Sequence, residues 1–380
     1  MRNTTQHNAL RAAIGIAAAA LVATPITLSL SNQDNQPATT PITHTTAAPP
    51  APPAADISTY EAAGVLMVGV NNYDDALNVL NQGAAGIFIG SWTDPALIQQ
   101  LPQLKEAIGR PFKVSIDAEG GRVVRQPALF GNLPSPRVMA ATMTPQQVQN
   151  TAYDLGTRLH NAGINVDFAP VLDLDAGDPN GAIGDRSFSD NPTIAATYGA
   201  AFVQGLADAG VQPVLKHFPG HGHASGDSHT GDVTTPPLDA LLREDLTPYA
   251  TILQHCQPAI MFGHLDIPGL GDQPTTINPA AYELLRSGNY GGPPFTGTIY
   301  TDDLSGMRAI SERLPLPEAA AQAIIAGADV ALWIDSSQLP AAAQALTDAV
   351  DRGEITAQQL RDKAIRAQAD VGLNSCSSLR

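Results

Sequence analysis

The sequence predicts an α/β fold, a closed (β/α)8 barrel of the TIM type that forms a single catalytic domain. Three observations predict it. Eight short apolar runs alternate with amphipathic or Ala-rich stretches from Ile57 onward, too many units for a simple doubly wound sheet. Those runs are nearly continuous in apolar residues, as expected for parallel strands buried on both faces. The polar residues able to do chemistry cluster just after the runs end, where barrel enzymes carry their sites.

The chain begins with Arg2, Arg11 and the apolar run "AAIGIAAAALVA" (12–23). Residues 1–30 thus read as an export signal, either cleaved or kept as a signal anchor, although the run is short of the ~20 apolar residues a spanning helix needs. No Cys follows it to carry a lipid. Residues 31–56 are rich in Pro, Thr and Ala with almost no large apolar residue, so they read as a disordered, partly polyproline tether. The barrel is expected over 57–372, with a short tail at 373–380. The expected setting is extracellular or in the cell envelope, with any membrane tether confined to the N-terminal segment, and the expected state is a monomer.

The strands are expected at 64–70, 84–90, 112–117, 164–170, 212–217, 258–264, 297–303 and 328–334. The first long helix follows Thr144 as N-cap, with Pro145 at the first helical position and Gly163 as the stop. Asn191-Pro192 to Gly210 repeats that grammar. Further helices are expected at 238–255, 316–326, 339–351 and 356–370. "ALFGNLPSPRVMA" (128–140) reads as too rich in Pro and Gly to be helical. No internal repeat suggests a solenoid.

Net charge is −16, which argues against nucleic acid as a partner, because an acidic chain repels phosphate backbones. The two cysteines, Cys256 and Cys376, are expected to pair, which an oxidising compartment permits; two independent thiols are the alternative.

One stretch concentrates chemistry. "KHFPGHGHASGDSHTGD" (216–232) holds four histidines, two aspartates and four glycines. A zinc site from His217, His221, His223 and His229 would have to be built on a loop, since Pro219, Gly220 and Gly222 break any helix that could align the first two. No metal or other cofactor is expected. A phosphate cradle lacks the G-K-[ST] that should follow its glycines. The third reading is acid/base chemistry: Asp227, two residues before His229, can hold the imidazole and fix its tautomer. A solvated loop histidine is the plain alternative. A second reacting group is expected from "YTDDLSG", where Asp302 does chemistry as a carboxylate and Asp303 caps the next helix.

Taken together, "KHFPGHG", "DSH" and "DDLSG", with "DAEGGRVVR" and "IGDRSF" upstream, resemble the β-N-acetylglucosaminidase branch of glycoside hydrolase family 3. Five motifs occur in family order over 64–372. The resemblance implies retaining removal of terminal β-linked N-acetylglucosamine, with Asp302 as nucleophile and His229 as general acid/base oriented by Asp227. It also implies that Asp117, Arg125, Arg186, Lys216 and His217 hold the sugar. Carboxylates can hold vicinal hydroxyls, and Lys or Arg can donate to hydroxyl or acetamido oxygens. The alternatives leave Arg122 and Arg125 as a solvated pair and Arg186 as the partner of Asp185. Ala118, Thr301 and Gly306 depart from the family's usual Gln, Ser and Met. The single-domain form of the family is expected, acting on N-acetylglucosamine-containing saccharides from peptidoglycan. A phosphorylase using the same site, because a histidine does not repel phosphate as a carboxylate would, and a non-catalytic sugar-binding protein are the competing functions.

Overall fold

The computed structural model describes residues 56–178 and 181–369. Its eight parallel strands are β1 (Leu66–Val70), β2 (Gly86–Ile89), β3 (Lys113–Ile116), β4 (Val166–Asp167), β5 (Gln212–Phe218), β6 (Ala259–Phe262), β7 (Ile299–Asp303) and β8 (Val330–Trp333). Each pairs with its sequence neighbours, and β8 returns to β1 through Leu66↔Ala331 and Val68↔Trp333, closing the barrel. The expected TIM-type barrel is the observed fold.

The continuous apolar runs follow from burial on both faces. Outward residues such as Val68, Ile87, Val114, Leu215 and Ile260 pack against the helices. Their inward neighbours Met67, Phe88, Val166, Val214 and Met261 fill the barrel interior. There Phe168 stacks on Phe88 with centroids 5.9 Å apart and meets Tyr300 edge-on at 5.4 Å. Lower in the barrel, buried Ser115 Oγ lies 3.1 Å from Met67 Sδ and the Tyr300 hydroxyl donates to Gln212 Oε1 at 3.5 Å.

The helix grammar is realised. Thr144 and Gln147 form a capping box on Pro145–Asn161, and Asn191 caps Pro192–Asp208. These two helices lie against each other so closely that a Cβ on Gly205 would stand 2.3 Å from the Gln149 carbonyl oxygen. Glycine is therefore required there for packing.

Three expectations need correction. The stretch 128–140 overlaps two helices, Pro127–Phe130 and Pro136–Thr142, the second capped by Ser135, because Pro136 takes the first-turn position where its missing N–H costs nothing. The segment 238–255 is two helices, Leu238–Arg243 and Thr247–Leu253, and the turn between them brings the Asp245 carboxylate inward. The fourth strand is regular only at Val166–Asp167, since Pro170 has no N–H for a ladder. The chain nevertheless stays beside β5, with Leu172 N–H donating to the Lys216 carbonyl at 2.7 Å.

The signal, the tether, the end of the 57–372 span and the tail lie outside the described residues. So does Cys376, and with it the expected cysteine pairing; Cys256 is buried and is not a free thiol. No helix among the described residues is long and apolar enough to cross a membrane. All eight strands lie within 66–333. Removal of residues 1–55 is therefore expected to leave a soluble chain with unchanged kcat/KM, measured beside the full-length protein. An insoluble or inactive truncation would contradict that boundary.

Candidate active site

The C-terminal ends of the strands surround a cleft of about 500 Å³, within the range of small-molecule sites. Phe88, Phe168, Met261 and Leu332 form its apolar floor, and the walls are polar. Trp92, after β2, is 42% exposed at the rim, with its ring 6.0 Å from that of Phe88.

One wall is a buried charge cluster. Lys216, near the end of β5, places Nζ 2.8 Å from Asp117 Oδ1 and 2.6 Å from Glu119 Oε1. Arg186 grips the two Glu119 oxygens as a fork, at 2.7 and 2.8 Å. Burial pushes the Glu119 carboxyl up, but the charges of Arg186 and Lys216 overcome it and hold the group far below its ordinary range. Lys216 is likewise held charged, since Asp117 and Glu119 outweigh its burial. Arg125 reaches Asp117 Oδ2 only at 3.4 Å and Ser91 Oγ at 3.3 Å, leaving it loosely held at the rim. Arg186 thus pairs with Glu119, and Asp185 pairs instead with Arg122 at 3.3 Å. Arg122 also donates to the carbonyls of Gly181, Ala182 and Ile183, so this exposed charge anchors a loop as well as pairing with Asp185.

Asp302 lies at the end of β7, mostly buried, with its Oδ1 accepting the Asp303 N–H at 2.8 Å. His217 Nδ1 donates to Asp173 Oδ2 at 2.6 Å, which leaves Nε2 facing Asp302 Oδ2 at 3.6 Å. On the other side His264 Nε2 donates to the Asp303 carbonyl at 2.9 Å. Burial raises the Asp302 carboxyl, but His217, His264 and Lys216 overcome it, and the net shift is downward. The group is a carboxylate at neutral pH. Expected to cap the next helix, Asp303 instead closes the turn before it, accepting from Ser305 N and Oγ and from Gly306 N, while the helix Arg308–Ser311 starts after Met307 with no side-chain cap.

The 219–235 loop carries the other pair. Asp227 Oδ1 accepts the backbone N–H of His229 at 3.0 Å and faces its Nδ1 at 2.7 Å. The imidazole is therefore fixed by Nδ1, with Nε2 free to exchange a proton. Its side chain is 58% exposed, yet it lines the same cleft as Asp302. All eight site residues expected from the sequence (Asp117, Arg125, Arg186, Lys216, His217, Asp227, His229 and Asp302) line this one cleft.

Asp167 lies beneath the charge cluster. Its Oδ1 accepts the Ala118 N–H at 2.9 Å, and its buried Oδ2 has no hydrogen-bond partner. Burial pushes its pKa up to about 8, the Ala118 N–H and Lys216 opposing and Asp117 and Glu119 adding. Between its unfolded value of 3.8 and about 8 the folded state holds a proton that the unfolded state lacks. Stability due to this group therefore falls as pH rises through that window. Asp167→Asn removes the titration, so the Tm of the variant relative to the parent is expected to improve from pH 5 to pH 8. A difference independent of pH would contradict the shift.

A barrel mouth with an ionised carboxylate and an aspartate-held histidine around one polar-walled cleft has the layout of a glycoside hydrolase. Sequence comparison gives the family. The model of the glycosyl hydrolase family 3 N-terminal domain matches residues 61–369, and the chain belongs to that family. It is 44% identical over 344 residues to beta-hexosaminidase LpqI of Mycobacterium tuberculosis, covering 89% of each chain. A crystal structure of a family 3 glycosyl hydrolase from Mycobacterium smegmatis superposes with a TM-score of 0.80 at 45% identity, over 83% of this chain and 97% of that one. A family 3 beta-N-acetylglucosaminidase from Paenibacillus sp. does so with a TM-score of 0.75 at 29% identity, over 86% of this chain and 65% of that one.

Four functional candidates escaped the sequence reading: Glu119, Asp173, His264 and Trp92. Glu119 lies within "DAEGGRVVR", and Asp173 and His264 lie at or just past expected strand ends, but nothing local singles any of the three out. Trp92 carries no motif at all.

Proposed function

We propose that the protein is an exo-acting, retaining β-N-acetylglucosaminidase that removes terminal β-linked N-acetylglucosamine from peptidoglycan fragments. The observation that carries this reading is the pairing, in one cleft, of an ionised Asp302 with the Asp227–His229 dyad. The names of the mycobacterial and Paenibacillus relatives, a beta-hexosaminidase and a beta-N-acetylglucosaminidase, support the substrate class. The export signal read in 1–30 supports a substrate outside the cytoplasm.

Asp302 attacks the anomeric carbon as His229 Nε2–H gives its proton to the departing glycosidic oxygen. The bond to the aglycone breaks and a glycosyl ester to Asp302 forms. His229, now neutral at Nε2, takes a proton from water, which attacks the same carbon and releases the sugar and the free carboxylate. Asp227 keeps Nδ1 protonated throughout and stabilises the charged ring. Asp117 offers its carboxylate to sugar hydroxyls, and Lys216 and Arg125 donate to sugar oxygens; His217 lines up Asp302 and Arg186 secures Glu119 behind Lys216.

Incubation with an N-acetylglucosaminyl–N-acetylmuramic acid disaccharide, followed by mass spectrometry, tests the reading. Release of the two monosaccharides without added phosphate is expected. A phosphorylated sugar formed only with phosphate present would replace hydrolysis by phosphorolysis, and an intact disaccharide would contradict the substrate.

A further inference from the structure

The two halves of the site share one buried anchor. Asp173, 1% exposed, accepts the backbone N–H of His217 at 3.1 Å and of His221 at 2.7 Å, clamping both ends of the turn between them. Its other oxygen holds His217 Nδ1 at 2.6 Å, which fixes the ring that faces Asp302. His221 is also buried, and its Nε2 is hydrogen-bonded to Ser228 Oγ at 3.3 Å. Ser228 sits between Asp227 and His229 in the chain. It is 3% exposed, although the side chains on either side of it are well exposed. Its carbonyl accepts the Ala309 N–H at 3.1 Å and its Oγ lies 3.6 Å from Met307 Sδ, so the turn is also seated on the segment that follows Asp302. The base of the loop is tied separately, by Ser225 N–H to the Thr234 carbonyl and Thr235 N–H to the Asp266 carbonyl. Arg313 adds a tie to Asp232 at 2.9 Å, and within the tip Asp227 and His229 bond to each other, while Ser228 is the tip residue that carries the bonds to His221 and Ala309.

We propose that His221 and Ser228 are positioning residues for the proton-transfer turn, and that Asp173 joins that turn to the frame holding Asp302. The proposal rests on His229 as acid/base. Holding Ser228 by its side chain leaves the His229 ring free at the mouth while fixing where its Nε2 can swing. Proton transfer needs that atom within hydrogen-bond reach of the glycosidic oxygen, so loosening the turn costs most where the leaving group needs the proton. Asp173 differs from the pair, because its loss also loosens His217 and Asp302.

The test is kcat/KM on a disaccharide and on a dinitrophenyl N-acetylglucosaminide, for His221→Ala, Ser228→Ala, the double variant and His221→Gln, with His229→Ala as reference. His221→Ala and Ser228→Ala are each expected to lose roughly tenfold or more on the disaccharide and less than about threefold on the aryl glycoside. The double variant should be no worse than the worse single one, since both remove one hydrogen bond. His221→Gln, which keeps a polar atom near the Nε2 position, should recover most of the loss. Asp173→Asn should lose on both substrates alike. Should His221→Ala fail to fold, Ser228→Ala and His221→Gln decide the matter. Equal losses on both substrates, no loss, or additive losses overturn the proposal while His229→Ala still shows the leaving-group dependence. If His229→Ala shows none either, the acid/base reading falls and takes this one with it.

Discussion

Asp302→Asn is expected to lower kcat by at least roughly a thousandfold while the protein stays folded. The amide is nearly the same shape, and the Asp303 N–H that Asp302 Oδ1 accepts can still be satisfied. What is lost is the nucleophile, since a neutral amide forms no glycosyl ester. The structure spends three cationic or imidazole groups on keeping this buried carboxyl ionised, against burial that favours the proton. Thermal unfolding and kcat of the purified variant check the expectation together. Retention of more than about a tenth of the parent kcat would exclude Asp302 as nucleophile.

The second large effect depends on the substrate. His229→Ala removes the proton that a sugar alkoxide needs to leave, so the disaccharide should lose roughly a hundredfold or more in kcat/KM. A nitrophenolate leaves without that proton, and its kcat/KM should fall far less. Asp227→Ala should give a weaker version of the pattern. It removes the group that holds Nδ1 at 2.7 Å but leaves the imidazole in place. Parallel kinetics on the two substrates check both variants. Equal losses would point to a route in which the acetamido group attacks and Asp302 only polarises it.

The barrel was legible because burial on both faces writes itself into contiguous runs: Val68 faces helices and Met67 the interior, and both must be apolar. The proposed dyad was visible in the sequence because Asp227 and His229 are two residues apart, and the proposed nucleophile because Asp302 ends a strand. Glu119 and Asp173 were not, since their roles arise from contacts with Arg186 and His217, 67 and 44 positions away. The same holds for Arg186, which the resemblance places on the sugar, with Asp185 as the alternative partner; in the fold its guanidinium grips Glu119. Helix boundaries failed where proline has two meanings. Pro136 starts a helix, and the composition of 128–140 alone reads it as a breaker. Trp92 is visible only as an exposed aromatic at the mouth of a cleft, a property of the folded surface.

The central claim is that the sugar is passed through a covalent bond to Asp302. The most direct measurement is intact-protein mass spectrometry of His229→Ala mixed with an activated aryl N-acetylglucosaminide. Formation of the ester needs no proton donor with that leaving group, whereas its hydrolysis lacks the base that activates water, so the adduct should accumulate. The account predicts a gain of one N-acetylhexosamine residue, located to Asp302 by peptide mapping and missing when Asp302→Asn is added. An unmodified protein that still releases the aryl group, with an oxazoline as the first sugar product, would contradict it.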